Sequence, residues 1–151
     1  MKIHISIDST ITTPEITIRA PDAESAHTLQ SSILSPLVHT KLPLTQGEKE
    51  FFLPITQILF FESSDSRTFA HTATEIFTTR LRLYELEDRL PSTFIRASKS
   101  VIINTSHILS VTRNLTGPSL VQFTKSHKQI NASRSYYPSL RDKLNERTLA
   151  K

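Results

Sequence analysis

FIRASKSVIIN, residues 94–104, sets two runs of β-forming residues on either side of Arg96, Ser98, Lys99 and Ser100. Short runs of β-branched and aromatic residues bounded by polar clusters read as strands. FIRA (94–97) and VIIN (101–104) are therefore expected to be strands joined by a cationic, hydroxyl-bearing turn, and no carboxylate lies within the stretch to neutralise it. Upstream, RLYELEDRL (82–90) puts Leu83, Leu86 and Leu90 on one helical face and is stopped by Pro91. Before it, QILFFES (57–63), RTFAH (67–71) and EIFTTR (75–80) predict three more strands with polar turns between them. Downstream, ILSVTRN (108–114), SLVQFTK (119–125) and KQINAS (128–133) continue the pattern, with turns at Thr116-Gly117-Pro118 and at Lys125-Ser126-His127-Lys128. YYPSLRDKL (136–144) closes as a helix with Leu140 and Leu144 four residues apart. The fold class expected is mainly β and antiparallel, with one inserted helix and one C-terminal helix.

The N-terminal part reads differently. KIHISI (2–7) and EITIR (15–19) alternate with period two and predict a hairpin around Asp8–Pro14. DAESAHTLQSSIL (22–34) predicts a helix capped by Asp22, with Ala26, Leu29 and Ile33 at helical spacing. Such a ββα element is too small to be stable alone. SPLVHTKLPLTQGEK (35–49), with two prolines and a glycine, reads as a connector. The expected division is residues 1–45 as a small ββα element with its linker, and 46–151 as the β domain.

Composition limits the chemistry. With 37% hydrophobic and 21% charged residues in 151, the chain is a globular mixture with room for one ordinary core and an appendage. Cysteine is absent, which removes disulfides and thiolate metal sites. Gly47 and Gly117 are the only glycines, too few for a phosphate cradle or dinucleotide fingerprint. The six histidines (4, 27, 39, 71, 107, 127) never take HxxxH or HExxH spacing, and no G-x-S-x-G elbow occurs. Glu85, Glu87 and Asp88 beside Arg82 and Arg89 read as ion pairs on the helix surface. No enzyme, metal or cofactor is therefore expected. The N-terminus lacks a signal-peptide apolar run, and no stretch approaches the roughly 18–20 apolar residues of a membrane span, so a soluble, cytoplasmic protein is expected.

Charge is distributed unevenly. Residues 1–48 hold three Lys/Arg against five Asp/Glu, whereas 49–151 hold fifteen against nine. Arg89, Arg96, Lys99, Arg113, Lys125, Lys128, Arg134 and Arg141 follow one another with no acidic residue between them. A field of that sign attracts a polyanion. The cations sit at strand ends, where several turns can meet one groove of a duplex. Arginine offers a planar fork to guanine edges, while lysine and hydroxyls suit phosphates.

Over roughly residues 50–145 the chain resembles the LytTR family of DNA-binding domains. The resemblance lies in ILFFES, LRLYELEDRLP, FIRASKSVIIN, HILSV and INASRSYYPSLRDKL, in that order. Ser98 stands where many members have His, and Ile103 where Val is usual. The resemblance implies stacked antiparallel sheets that bind double-stranded DNA through turns inserted into the major groove. It also implies Ser66, Arg67, Arg96, Ser98, Lys99, Ser100 and Arg134 as DNA-facing residues, joined on charge by Lys125 and Lys128. Arg96, Arg134 and Lys99 are expected to read bases, and Lys99, Ser100, Lys125 and Lys128 to hold phosphates. Phe94 and Ile95 are assigned to the core, and Asn104 to a structural hydrogen bond. On this view FIRASKSVIIN lacks carboxylates because a phosphate backbone supplies the negative charge.

Residues 1–48 are too short for a receiver domain, so the chain is expected to be a stand-alone transcriptional regulator acting on promoter repeats. A homodimer is expected, with a membrane-protein inhibitor as a possible partner and no small-molecule substrate. Residues 1–45 would supply the dimerisation or inhibitor-docking surface. The alternative is a basic interaction module that binds an acidic protein or anionic lipid without sequence readout. RNA binding ranks third, because Tyr136 and Tyr137 are the only tyrosines near the basic region and tryptophan is absent.

Overall fold

The computed structural model describes residues 4–13, 15–38 and 40–149 and contains two units, Met1–Pro36 and Leu37–Lys151. In chain order the elements are α1 (Ala23–Val38), β1 (Lys41–Gln46), β2 (Lys49–Pro54), β3 (Phe60–Ser64), β4 (Arg67–His71), β5 (Ile76–Thr79), α2 (Leu83–Arg89), β6 (Phe94–Ser98), β7 (Val101–Asn104), β8 (Ile108–Thr112), β9 (Ser119–Phe123), β10 (Gln129–Ala132) and α3 (Tyr137–Leu149). Every strand pair is antiparallel: seven strands form one sheet in the order β2-β1-β5-β4-β3-β7-β6, and three form a second in the order β10-β9-β8.

All four residues of β7 are buried, because its sheet is covered on both faces. Successive side chains on a strand point to opposite faces, so Phe60 and Phe61 enter different cores. Phe61, Ala70, Phe77 and Ile102 pack with Leu42 and Leu44 of β1 and with Leu83 and Leu86 of α2. On the other side, Phe60, Val101 and Ile103 pack with Val121, Phe123, Ile130 and Ala132 of the second sheet and with Leu140 of α3. Each such large side chain contributes roughly 1.5–3 kcal/mol when fully buried. Phe94 is buried and Ile95 half-buried against these cores, and buried Asn104 joins backbone to backbone: its Nδ2 donates to the Ile58 carbonyl at 3.0 Å and its Oδ1 accepts from the Ser106 amide at 3.1 Å. The core and hydrogen-bonding roles expected of these three residues are the ones they have.

The connector expected over 35–49 is not a loop. Residues 35–38 continue α1, and Lys41–Gln46 pairs along its whole length with Lys49–Pro54, turning at Gly47 with φ of 61°. Two prolines obscured this hairpin. Pro43 is tolerated because β1 meets β5 in a single residue pair, Thr45 with Thr78, so no neighbouring strand calls for the amide proline lacks. The expected 45/46 boundary thus falls inside β1, and the units divide after Pro36.

The N-terminal hairpin is also corrected. Residues 4–13 and 15–20 contain no strand, and residues 2, 3 and 14 of that expectation lie outside the described residues. An isolated two-stranded ribbon is marginal in water, and alternation alone cannot hold one. The helix does form, and the Asp22 carboxylate accepts from the Ser25 amide at 2.7 Å, the N-cap role expected of it.

Candidate nucleic-acid interface

The β3–β4 turn has only two central residues, Asp65 and Ser66, with φ of 49° and 64°. Two consecutive left-handed residues make the turn whose twist matches a tight hairpin. Ser66 and Arg67 are thereby exposed at one end of the large sheet.

The β6–β7 turn reaches the same end. Its ladder slips between Arg96 and Ser98, which makes Ala97 the extra residue of a bulge. Ser98 is half-buried, and its hydroxyl accepts from the Ser100 amide at 3.2 Å, which leaves Lys99 and Ser100 exposed at the tip. The Ser63 amide donates to the Ser100 carbonyl at 2.8 Å, tying this turn to the end of β3. The third component arrives from the second sheet: the Ser133 amide donates to the Ala97 carbonyl at 2.8 Å, which places exposed Arg134 next to the bulge, and Pro118 of the β8–β9 turn borders Arg134. Ser66, Arg67, Ser98, Lys99, Ser100 and Arg134 therefore gather at one end of the fold.

Arg96 is different. Its Nε donates to Glu87 of α2 at 2.9 Å and one terminal nitrogen donates to the Lys99 carbonyl at 2.6 Å. The carboxylate missing from FIRASKSVIIN is supplied from another element, and Glu87 pairs across to β6 instead of along its own helix as expected. Glu85 instead accepts from the Arg82 amide at 2.8 Å and caps α2. Arg113 is also engaged, lying 5.5 Å from the centre of the Tyr137 ring.

Lys125 and Lys128 do not join this cluster. Their turn docks on the β4–β5 turn, where the Ser126 hydroxyl donates to the Ala73 carbonyl at 3.1 Å and the Lys128 ammonium to the Glu75 carbonyl at 2.8 Å. Burial holds the Lys128 ammonium below the usual lysine range. The strand β10 separates this turn from Arg134, roughly 13 Å for four residues. Lys125 is exposed, with a left-handed φ of 55°.

Between the sheets runs an open groove of about 510 Å³ whose lining includes Ser98, Ser100, Lys128, Asn131, Glu62 and His71. His71 stacks on Phe60 with ring centres 4.1 Å apart, and its Nε2 lies 3.3 Å from Glu62. Burial, and then the Lys128 charge, push the imidazole down to about 4. It therefore meets Glu62 as a neutral N–H donor, while its buried Nδ1 has no partner among the described residues.

Residues 48–145 match the family model of the LytTr DNA-binding domain. The chain belongs to the LytTR family. Residues 48–145 are thus a LytTR DNA-binding domain. Two relatives from Staphylococcus aureus strains NCTC 8325 and COL, each called an uncharacterized HTH-type transcriptional regulator, are 28% identical over 95% of this chain and 98% of their own length. A solved LytTr DNA-binding domain of a putative methyl-accepting/DNA response regulator from Bacillus cereus superimposes with a TM-score of 0.64, at 23% identity, over 68% of this chain and 94% of the other. The mainly antiparallel β architecture with three helices agrees with that LytTR fold. Among the described residues no two α-helices are consecutive, since strands separate α1, α2 and α3, so these residues form no helix-turn-helix. Among the described residues no helix is long and apolar enough to cross a membrane.

Sequence reasoning missed Asp65 and the true partner of Glu87. An Asp-Ser pair between two alternating runs is a signal for the turn. Nothing local in the sequence signals the Glu87 contact.

Proposed function

We propose that this LytTR protein is a cytoplasmic, sequence-specific regulator that binds duplex DNA by inserting the β3–β4 turn, the β6–β7 turn and Arg134 into the major groove. Convergence of three chain segments on one end carries the proposal, because exposed Arg67, Lys99 and Arg134 come together there through two backbone hydrogen bonds, Ser63 to Ser100 and Ser133 to Ala97. Arg134 and Lys99 read base edges; Ser66, Arg67 and Ser100 hold phosphates. Ser98 and Arg96 shape the turn, a role their contacts favour over the base reading first expected of Arg96. Lys125, a strand length from Arg134, suits a phosphate across the groove, about 12 Å wide in B-form DNA.

Met1–Pro36 supplies a dimerisation surface or the docking site of a membrane-protein inhibitor, and two-fold pairing would match promoter repeats. Its removal leaves both cores of the second unit intact. Chains lacking residues 1–36 should bind one half-site and lose dimer formation in sedimentation. Selection of bound duplexes from a random pool tests the DNA proposal, and a defined motif with a half-site spacing is expected. Recovery of no motif, together with retention on anionic vesicles or acidic protein, would favour a basic interaction module instead.

A further inference from the structure

Helical spacing sets Glu87 four residues after Leu83 and three before Leu90, at the exposed edge of the stripe that α2 turns toward the sheet. From that edge its carboxylate, 51% exposed, reaches Arg96 on β6. The Arg96 side chain is only 18% exposed, and its rigid fork divides between two acceptors, the Glu87 carboxylate at 2.9 Å and the Lys99 carbonyl at 2.6 Å. The second acceptor is at the tip of the β6–β7 turn. Arg82, at the start of α2, also reaches toward the β3–β4 turn, its Nη1 3.4 Å from the Ser66 carbonyl.

We infer that Glu87 is a positioning residue for DNA recognition: it orients Arg96, and Arg96 holds the Lys99 carbonyl so that the Lys99 and Ser100 side chains are presented in one geometry. The DNA part of this inference rests on the proposed interface, whereas the clamp itself is a property of the free protein. Two roles for Arg96 predict opposite signs. If Arg96 were a DNA ligand that Glu87 restrains, removing the carboxylate would free a cation and tighten binding. As a clamp, Arg96 without Glu87 lets the turn loosen, and binding weakens although a negative charge has been removed.

The experiment compares the full chain with Glu87→Ala, Glu87→Gln and Arg96→Lys in two measurements. In free protein, amide exchange at Ser100 should rise on the order of tenfold in Glu87→Ala and Arg96→Lys, with Glu87→Gln close to wild type because its amide oxygen still accepts from Nε. On the selected duplex, Glu87→Ala should bind about tenfold more weakly with an unchanged salt slope. Unchanged Ser100 exchange in Glu87→Ala, or tighter duplex binding by it, overturns the inference. Should the wild-type chain select no duplex at all, the proposed interface fails while the exchange measurement still decides the clamp. Equal thermal stability of Glu87→Gln and wild type guards against a general loss of fold.

Discussion

The Ser133 amide reaches the Ala97 carbonyl at 2.8 Å, and Ala97 is the residue that the β6–β7 ladder leaves over. A bulge in one sheet therefore provides the acceptor that anchors the chain leaving the other. Ser133→Pro deletes the donor while retaining the carbonyl that accepts from Tyr136 and Tyr137. It is expected to lower stability by about 1 kcal/mol in urea titration and to weaken binding of the selected duplex more than that of random DNA. Ser133→Ala keeps the amide and serves as the control; equal losses in both variants would show that the bond is irrelevant.

Arg134 is exposed and has room for bidentate contact with a base edge. Arg134→Ala should remove about 1–3 kcal/mol of discrimination while leaving random-duplex affinity within a fewfold. Equal losses on both DNAs in fluorescence anisotropy would reduce Arg134 to a phosphate contact.

Asp65 combines a left-handed φ of 49° with a negative charge at the proposed DNA-facing end. Asparagine is favoured in that conformation and carries no charge. Asp65→Asn should raise stability by a few tenths of a kcal/mol and tighten binding to any duplex, most at low salt. Weaker binding would mean that the carboxylate is used, for example to accept from a cytosine amine.

His71 sets an acid limit on stability. Its folded-state value of about 4 lies below the ordinary 6.5, so between these pH values the unfolded chain binds the extra proton. Stability from this group is complete above pH 6.5 and is lost as pH falls toward 4, by on the order of 2–3 kcal/mol. Glu62 and Lys128 are the charged groups lining the groove beside it. His71→Phe keeps a ring on Phe60 and removes the unpartnered Nδ1, so its stability should vary less over that range in denaturant titrations at stepped pH. An acid limb as steep as wild type would assign the loss to other groups.

Raising salt from about 50 to 200 mM should weaken duplex binding steeply, in proportion to the phosphates neutralised. A flat dependence, read by anisotropy, would contradict a cation-lined interface.

Period-two alternation and strong breakers are local signals, and where they dominate, the sequence by itself determined the element. RTFAH and VIIN coincide with β4 and β7, and the RLYELEDRL helix matches α2 to within one residue at each end. Where local signals conflict they mislead. Proline masked β1, whose partner and buried leucines are defined only once the sheet assembles, and alternating isoleucines suggested a hairpin of which residues 4–13 and 15–20 form no strand.

The composition of the contact turns was also legible, but not which turns would meet. That depends on strand order, since β7 lies between β3 and β6, and on a bulge that turns one carbonyl toward the second sheet. The same holds for individual cations. Lys99 and Lys128 look alike in the sequence, yet one ends exposed at a turn tip while the other donates to a carbonyl of a distant turn. Arg96 finds its carboxylate on a different element. Charge and propensity belong to residues and can be read along the chain, whereas a side chain's partner is decided by packing, which brings together segments that the sequence holds apart.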